Sequence, residues 1–156
     1  MIKKTGLVLF SSLLLLMAPL SNLHADDKTT ALLLETVGVL SAHSIYLTYS
    51  SIGTLADGHA NKTYKNDFSV QMLEEYEGIS KTAINQLNKL LSSGVLTPPD
   101  VEFVNRLIET YQLLIGEASG YKNYILTGQQ AHIKTYSEKR NAAWKNISEL
   151  LGLDKK

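Results

Sequence analysis

Residues 97–118, TPPDVEFVNRLIETYQLLIGEA, carry the clearest structural signal in the chain. Thr97 is a good helix cap, Pro98 suits the first helical position, and Asp100 stands where the acid of a capping box is found. Apolar residues then recur every three or four positions, which is the spacing of one face of an α-helix. The stretch therefore predicts a long amphipathic helix. Its apolar stripe comprises Val101, Val104, Ile108, Tyr111, Ile115, Ala118 and Ile125, with Lys122 as the one break.

Three other segments show the same helical spacing. The first runs from about Lys28 to Ala56 and is followed by a loop of turn-forming residues, 57–66. The second begins near Asp67 and ends at Ser93-Gly94, and the last follows Thr127-Gly128 and continues to the C-terminus. Four helices joined by short connections predict an all-α fold, an antiparallel up-down-up-down four-helix bundle.

The N-terminus has the layout of a signal peptide. Lys3 and Lys4 precede an apolar run over residues 6–20, and Ala25 supplies a small residue at the expected cleavage point. The apolar run is shorter than the roughly 20 residues that span a bilayer comfortably. We therefore expect residues 1–25 to be a signal peptide cleaved near Ala25, leaving residues 26–156 as a single periplasmic domain. Since Leu23 is unusual three positions before a cut, an uncleaved membrane anchor is the alternative.

Charge and cysteine content exclude several classes of function. The chain has 15 basic and 15 acidic residues, and removal of Lys3 and Lys4 leaves a net charge near −2, so nucleic acid is not an expected partner. The absence of cysteine excludes covalent c-type haem, thiolate metal sites, a cysteine nucleophile and a lipoprotein anchor. Stability of the mature domain must then rest on packing alone.

The first predicted helix lacks charge over an unusual length. From Thr36 to Ala56 there is no Asp, Glu, Lys or Arg, although a helix with a solvent face normally carries charge there. Three interpretations follow: the helix is the most buried of the four, its outer face meets another protein chain, or it spans a membrane. The second predicts a homodimer through this helix, because small residues permit close approach. Its candidate interface residues are Gly38, Ser41, Ser44 and Ser51.

Tyrosines provide the candidate ligand-binding residues. A tyrosine combines a large apolar ring with one hydroxyl, which suits either a core that ends at solvent or a pocket for a small ligand. Both interpretations apply to the five tyrosines of the first and third helices, Tyr46, Tyr49, Tyr111, Tyr121 and Tyr124.

No catalytic or cofactor motif is present in the sequence. The Glu-x-x-His pairs of di-iron bundles are missing, and His43, His59 and His132 are interpreted as surface or locally bonded residues. We assign the acidic run Glu74-Glu75-Tyr76-Glu77 to a solvated helix face. The sequence thus predicts a protein that is not an enzyme, with no catalytic residues, metal site or cofactor. A bundle that holds haem or metal through unconventional ligands is the alternative, and a small enzyme is a third possibility.

Residues 124–136, Tyr-Ile-Leu-Thr-Gly-Gln-Gln-Ala-His-Ile-Lys-Thr-Tyr, resemble the signature of CHASE-type extracellular sensory domains. In that signature a helix bearing Tyr-Leu-Leu-Thr-Gly turns into one that reads Ala-Tyr-Leu-x-x-Tyr. The lead-in Glu-x-Gly-x-Arg-Gly is absent, and residues 118–123 stand in its place. The matching positions are Tyr124, Leu126, Thr127, Gly128, Ala131 and Tyr136, with Ile125 and Ile133 as conservative replacements.

The resemblance implies a sensory or binding role outside the cytoplasmic membrane. Domains of this type are four-helix bundles that dimerise largely through their first helix and pass ligand or partner binding inward. This sequence shows no second membrane segment and no kinase, cyclase or methyl-accepting region. We therefore expect a non-enzymatic periplasmic binding or adaptor bundle, with a membrane sensor or a small ligand as its partner.

Overall fold

The computed structural model describes residues 27–153, so the predicted signal peptide lies outside the described residues. Within that range the chain forms four α-helices and no strand, which confirms the all-α class and the number of helices. The first helix continues to Ala60, beyond the predicted end at Ala56, and shortens the following loop accordingly. The helices are α1 (Asp27–Ala60), α2 (Asn66–Leu91), α3 (Pro98–Thr127) and α4 (Gln130–Leu150).

The start of α3 is the predicted capping box. The Thr97 backbone N–H donates to the Asp100 carboxylate at 3.1 Å, and the Thr97 hydroxyl donates to the same oxygen at 2.6 Å. Pro98 occupies the first helical position, where its missing N–H costs nothing. The residues from Thr97 to Asp100 therefore determine where α3 begins.

Two residues, Gly128 and Gln129, separate α3 from α4. Gly128 is left-handed, with φ 70°, and its N–H donates to the Tyr124 carbonyl at 2.8 Å. The Thr127 hydroxyl donates to the Asn123 carbonyl at 2.7 Å and accepts from the Gln129 N–H at 3.3 Å. The predicted short connection after Thr127-Gly128 is confirmed, and glycine serves there because it adopts a positive φ at no steric cost.

α3 is the central helix of the core. It packs against each of the other three helices, whereas α2 and α4 do not approach each other closely. Val104, Ile108, Tyr111 and Ala118 of the predicted stripe are buried. α3 packs extensively against both α2 and α4, and three further large apolar residues are therefore buried as well: Leu107, Leu114 and Tyr121.

Candidate functional site

The outer face of α1 carries more exposed large hydrophobic side chains than any other helix of the described chain. Its inner side is a narrow buried stripe that includes Ile45 and Ile52. On the outer side, leucines seven residues apart are 59%, 65% and 63% exposed, namely Leu33, Leu40 and Leu47. The interpretation of α1 as the most buried helix is therefore wrong, because its neighbours cover only one side of it.

The three leucines belong to a heptad pattern. Val37, Ser44 and Ser51 follow them at a spacing of four, so the two sets alternate by four and three along one side of α1. This is the pattern of a helix that pairs with another helix, with leucines as knobs. We call the six residues Leu33, Val37, Leu40, Ser44, Leu47 and Ser51 the α1 seam.

The predicted interface residues divide between the two sides of α1. Gly38 is buried against the ring of Phe103, and a Cβ there would lie 2.9 Å from the Phe103 Cε1 atom. The Ser41 carbonyl accepts a long hydrogen bond, 3.5 Å, from the Tyr111 hydroxyl. Ser44 and Ser51 are half-buried members of the seam. Contact of these residues with a second chain stays a prediction.

A groove extends the seam toward α2. It has a volume of about 270 Å³, and Leu47 and Ser51 of the seam form one of its walls. Phe68 and Tyr76 of α2 form part of the opposite wall, and Phe68 is itself exposed. The apolar surface therefore continues from α1 across to α2.

α1 is also the one helix in residues 27–153 whose length and composition would allow it to cross a membrane, over Lys28–Ala60. Core helices of soluble proteins and signal sequences can have the same length and apolar composition. The inner stripe of α1, however, packs against all three other helices of the described chain.

A buried ion pair joins α1 to α3 and α4. Glu117 of α3 is fully buried, and Arg140 of α4 donates to its Oε1 at 2.6 Å. Arg140 also donates to the Tyr49 carbonyl of α1 at 3.2 Å, and its guanidinium carbon lies 4.0 Å from the centre of the Tyr49 ring. Gly53 leaves the space for the guanidinium, because a Cβ there would overlap it. Arg140 thus bridges three helices.

Burial raises the pKa values of two groups near Arg140, namely Glu117 and Tyr136. It raises the pKa of Glu117 to about 7, although Arg140 acts in the opposite direction. Burial likewise raises the pKa of Tyr136 to about 12, again against the effect of Arg140. The second oxygen of Glu117, Oε2, has no hydrogen-bond partner among the described residues. The carboxyl group is therefore only half satisfied when ionised, which favours its protonated form.

The five predicted ligand-binding tyrosines do not share one site. Tyr46 is 40% exposed on α1, and Tyr49 stacks on Trp144 with ring centres 5.5 Å apart. Tyr111 and Tyr121 are buried, which agrees with the core interpretation for these two. Tyr124 lies beside Tyr121, with ring centres 5.9 Å apart. A ligand-binding role of any of them stays a prediction.

Tyr121 is the centre of an aromatic cluster that sequence reasoning missed. Its hydroxyl donates to the Ala56 carbonyl at 2.8 Å and lies 3.1 Å from His59 Nδ1. Its ring centre is 5.0 Å from that of Tyr136. The sequence places Tyr136 on the fourth helix and in the sensory-domain resemblance, and it places His59 in the predicted loop 57–66, of which residues 57–60 form the last turn of α1.

The acidic run on α2 is not solvated throughout. Glu74 and Glu75 are exposed, but Glu77 is only 8% exposed and pairs with Lys122 at 2.8 Å. The interpretation of a solvated face is wrong for Glu77, because α3 presents a counter-charge to it. The same contact explains why Lys122 interrupts the apolar stripe of α3.

Comparisons with known proteins do not identify the chain. No protein-family model matches it, and neither a curated protein nor a solved structure does. The resemblance to CHASE-type sensory domains therefore stays a prediction. In the part of the chain that the structure describes, no three side chains of His, Asp or Glu come together as metal ligands would.

Proposed function

We propose that this protein is a non-enzymatic binding or adaptor bundle that associates with a second copy of itself through the α1 seam. The observation that carries the proposal is the row of Leu33, Leu40 and Leu47, each about 60% exposed. Single exposed leucines are common on soluble proteins, but a continuous apolar row marks an interaction surface. No charge occurs from Thr36 to Ala56, so this face is only weakly stabilised by hydration.

A second copy is the occupant that the chemistry of the face favours. Two identical seams have the same heptad spacing and bring no charged group out of water when they meet. A twofold interface of this kind places the same patch on both subunits. Ser44 and Ser51 alternate with the leucines and leave room for the leucines of the partner helix.

The antiparallel up-down-up-down order of the helices is part of the proposal. Arg106, near the start of α3, pairs with Glu149 at the end of α4 at 2.9 Å. Lys122, near the end of α3, pairs with Glu77 in the first half of α2. Both pairs support opposite directions for successive helices. The exposed leucines of the α1 seam face away from the other three helices.

We further propose a periplasmic location, with a membrane sensor or a small ligand as an additional partner. Lys3, Lys4 and the apolar residues 6–20 support export. The resemblance of residues 124–136 to sensory domains supports the choice of partner. Dimerisation through the first helix is also what that resemblance implies.

The test is the mass of the protein in solution. The full chain is expressed in a host that can export it and process its N-terminus, and the purified product is measured by light scattering from 1 to 100 µM. We expect a dimer, and we expect Leu40→Glu and Leu47→Glu to be monomers with unchanged helicity, because a charge in the seam would be buried by the partner. Leu126→Glu is the matched control, since Leu126 is 63% exposed but lies on α3.

A parent protein that is monomeric at 100 µM would exclude the dimer, as would retention of the dimer by both glutamate variants. A monomer that binds lipid vesicles, and loses that binding in Leu40→Glu, would instead assign the seam to a membrane surface.

A further inference from the structure

A cavity of about 560 Å³ lies where the first half of α1 meets the end of α2 and the start of α3. This volume is within the range of pockets that hold small molecules. One lining residue, Val37, also belongs to the α1 seam, so the cavity borders the dimer interface proposed above. Most of the lining side chains are apolar, among them Leu34, Val37, Leu90, Phe103, Val104 and Leu107.

The floor of the cavity belongs to the core. Leu107 is fully buried and Val104 is 4% exposed, so packing against neighbouring helices holds both in place. Phe103 rests against Gly38, which brings this ring close to the α1 backbone. This part of the cavity is therefore formed before any ligand arrives, and an apolar ligand would bury its surface there without first ordering these side chains.

The polar groups of the cavity carry one sign of charge. Glu35 of α1 and Asp100 of α3 both line it, and no lysine or arginine does. Asp100 accepts the Thr97 hydrogen bonds through Oδ2, so those bonds do not use its Oδ1. Neither acid forms a salt bridge with any residue in 27–153. Carboxylates beside a low-dielectric wall attract a cation and repel an anion.

We propose that this cavity binds an amphipathic organic cation. The apolar body of the ligand lies against Leu107 and Phe103, and its cationic group lies at Glu35 and Asp100. The inference names the ligand class for the binding role proposed above. The same charges disfavour fatty acids, although their chains would suit the walls equally well.

Three ligands with one alkyl chain test the proposal: decylamine, which is an ammonium ion at neutral pH, decan-1-ol and decanoate. Titration calorimetry of the full chain, below the critical micelle concentration, gives the dissociation constants. We expect one decylamine per chain, bound roughly fivefold or more tightly than decanol, because two carboxylates and no basic side chain face its ammonium group. Decanoate should bind more weakly than decanol.

Two variants locate the site. Glu35→Gln should lower the preference for decylamine over decanol about two- to fivefold and leave decanol binding unchanged. Glu102→Gln, an exposed change on α3 outside the cavity, is its control. Ala31→Trp places a bulky ring in the lining and should abolish binding of decylamine and decanol, whereas Ala131→Trp on α4 should not.

Decanoate binding as tight as decylamine binding would overturn the proposal, and so would full binding by Ala31→Trp. Unchanged selectivity in Glu35→Gln would also overturn it. The molar mass of each variant is measured on the same samples. A monomeric parent protein that binds decylamine contradicts only the seam, and a dimeric parent protein that does not bind decylamine contradicts only the cavity.

Discussion

α1 and α3 are both long helices rich in leucine and isoleucine, yet they bury these residues very differently. α3 packs against three helices and hides residues such as Leu107 and Leu114 completely. α1 packs through one narrow stripe and leaves Leu33, Leu40 and Leu47 largely exposed. Both helices contact the other three, so the difference shows that burial depends on how extensively a helix packs against its neighbours, and not on apolar content alone.

Removal of a leucine from each helix should give the largest contrast. Leu114→Ala opens a space in a fully buried part of α3 and should lower the free energy of unfolding by about 2–5 kcal/mol. Leu40→Ala removes an exposed side chain and should change the stability of the monomer by less than about 0.5 kcal/mol. Urea denaturation at low protein concentration measures both. Equal losses would mean that the outer face of α1 is buried within one chain.

The ion pair between the two regions should make stability depend on pH. Because the pKa of Glu117 is about 7 when folded, above its ordinary value of 4.5, the folded protein holds a proton that the unfolded chain releases. The contribution of this proton to the free energy of unfolding is fully present below pH 4.5 and is lost as pH rises through about 7. Its magnitude is on the order of 2 kcal/mol.

Urea denaturation at pH 5 and pH 7.5 measures this loss. Glu117→Gln should remove most of it, whereas Glu109→Gln, an exposed change on the same helix, should not. A pH dependence that is the same in all three proteins would show that the Glu117 carboxyl group stays ionised in the folded state throughout this range.

The smallest effect is expected at the turn that joins α3 to α4. Gly128→Ala should destabilise the protein by about 1 kcal/mol or more, because alanine is strained at φ 70°. Gly78→Ala is the matched control: nothing lies within 4 Å of its Cβ position in the interior of α2, so alanine should stabilise by about 0.5–1 kcal/mol. Thermal melts monitored by circular dichroism give both signs. A gain in stability at position 128 would mean that α3 continues through it.

Signals within a few residues determined where the helices begin and end. Thr97, Pro98 and Asp100 form their cap through contacts that span three positions. Gly128 ends α3 because its φ angle of 70° is left-handed. Such features are visible in the sequence because their causes are local. The end of α1 was misplaced, since the turn-forming residues 57–60 continue the helix.

Only the tertiary structure decided which charged residues are inside and which apolar residues are outside. Glu77 pairs with Lys122 and Glu117 pairs with Arg140, and each pair joins two different helices. The periodicity of the sequence does not show which acid has a base beside it. The charge-free span of α1 was visible in the sequence, but its interpretation required the positions of the other three helices. The physical reason is that helix formation depends on neighbours along the chain, whereas burial depends on neighbours in space.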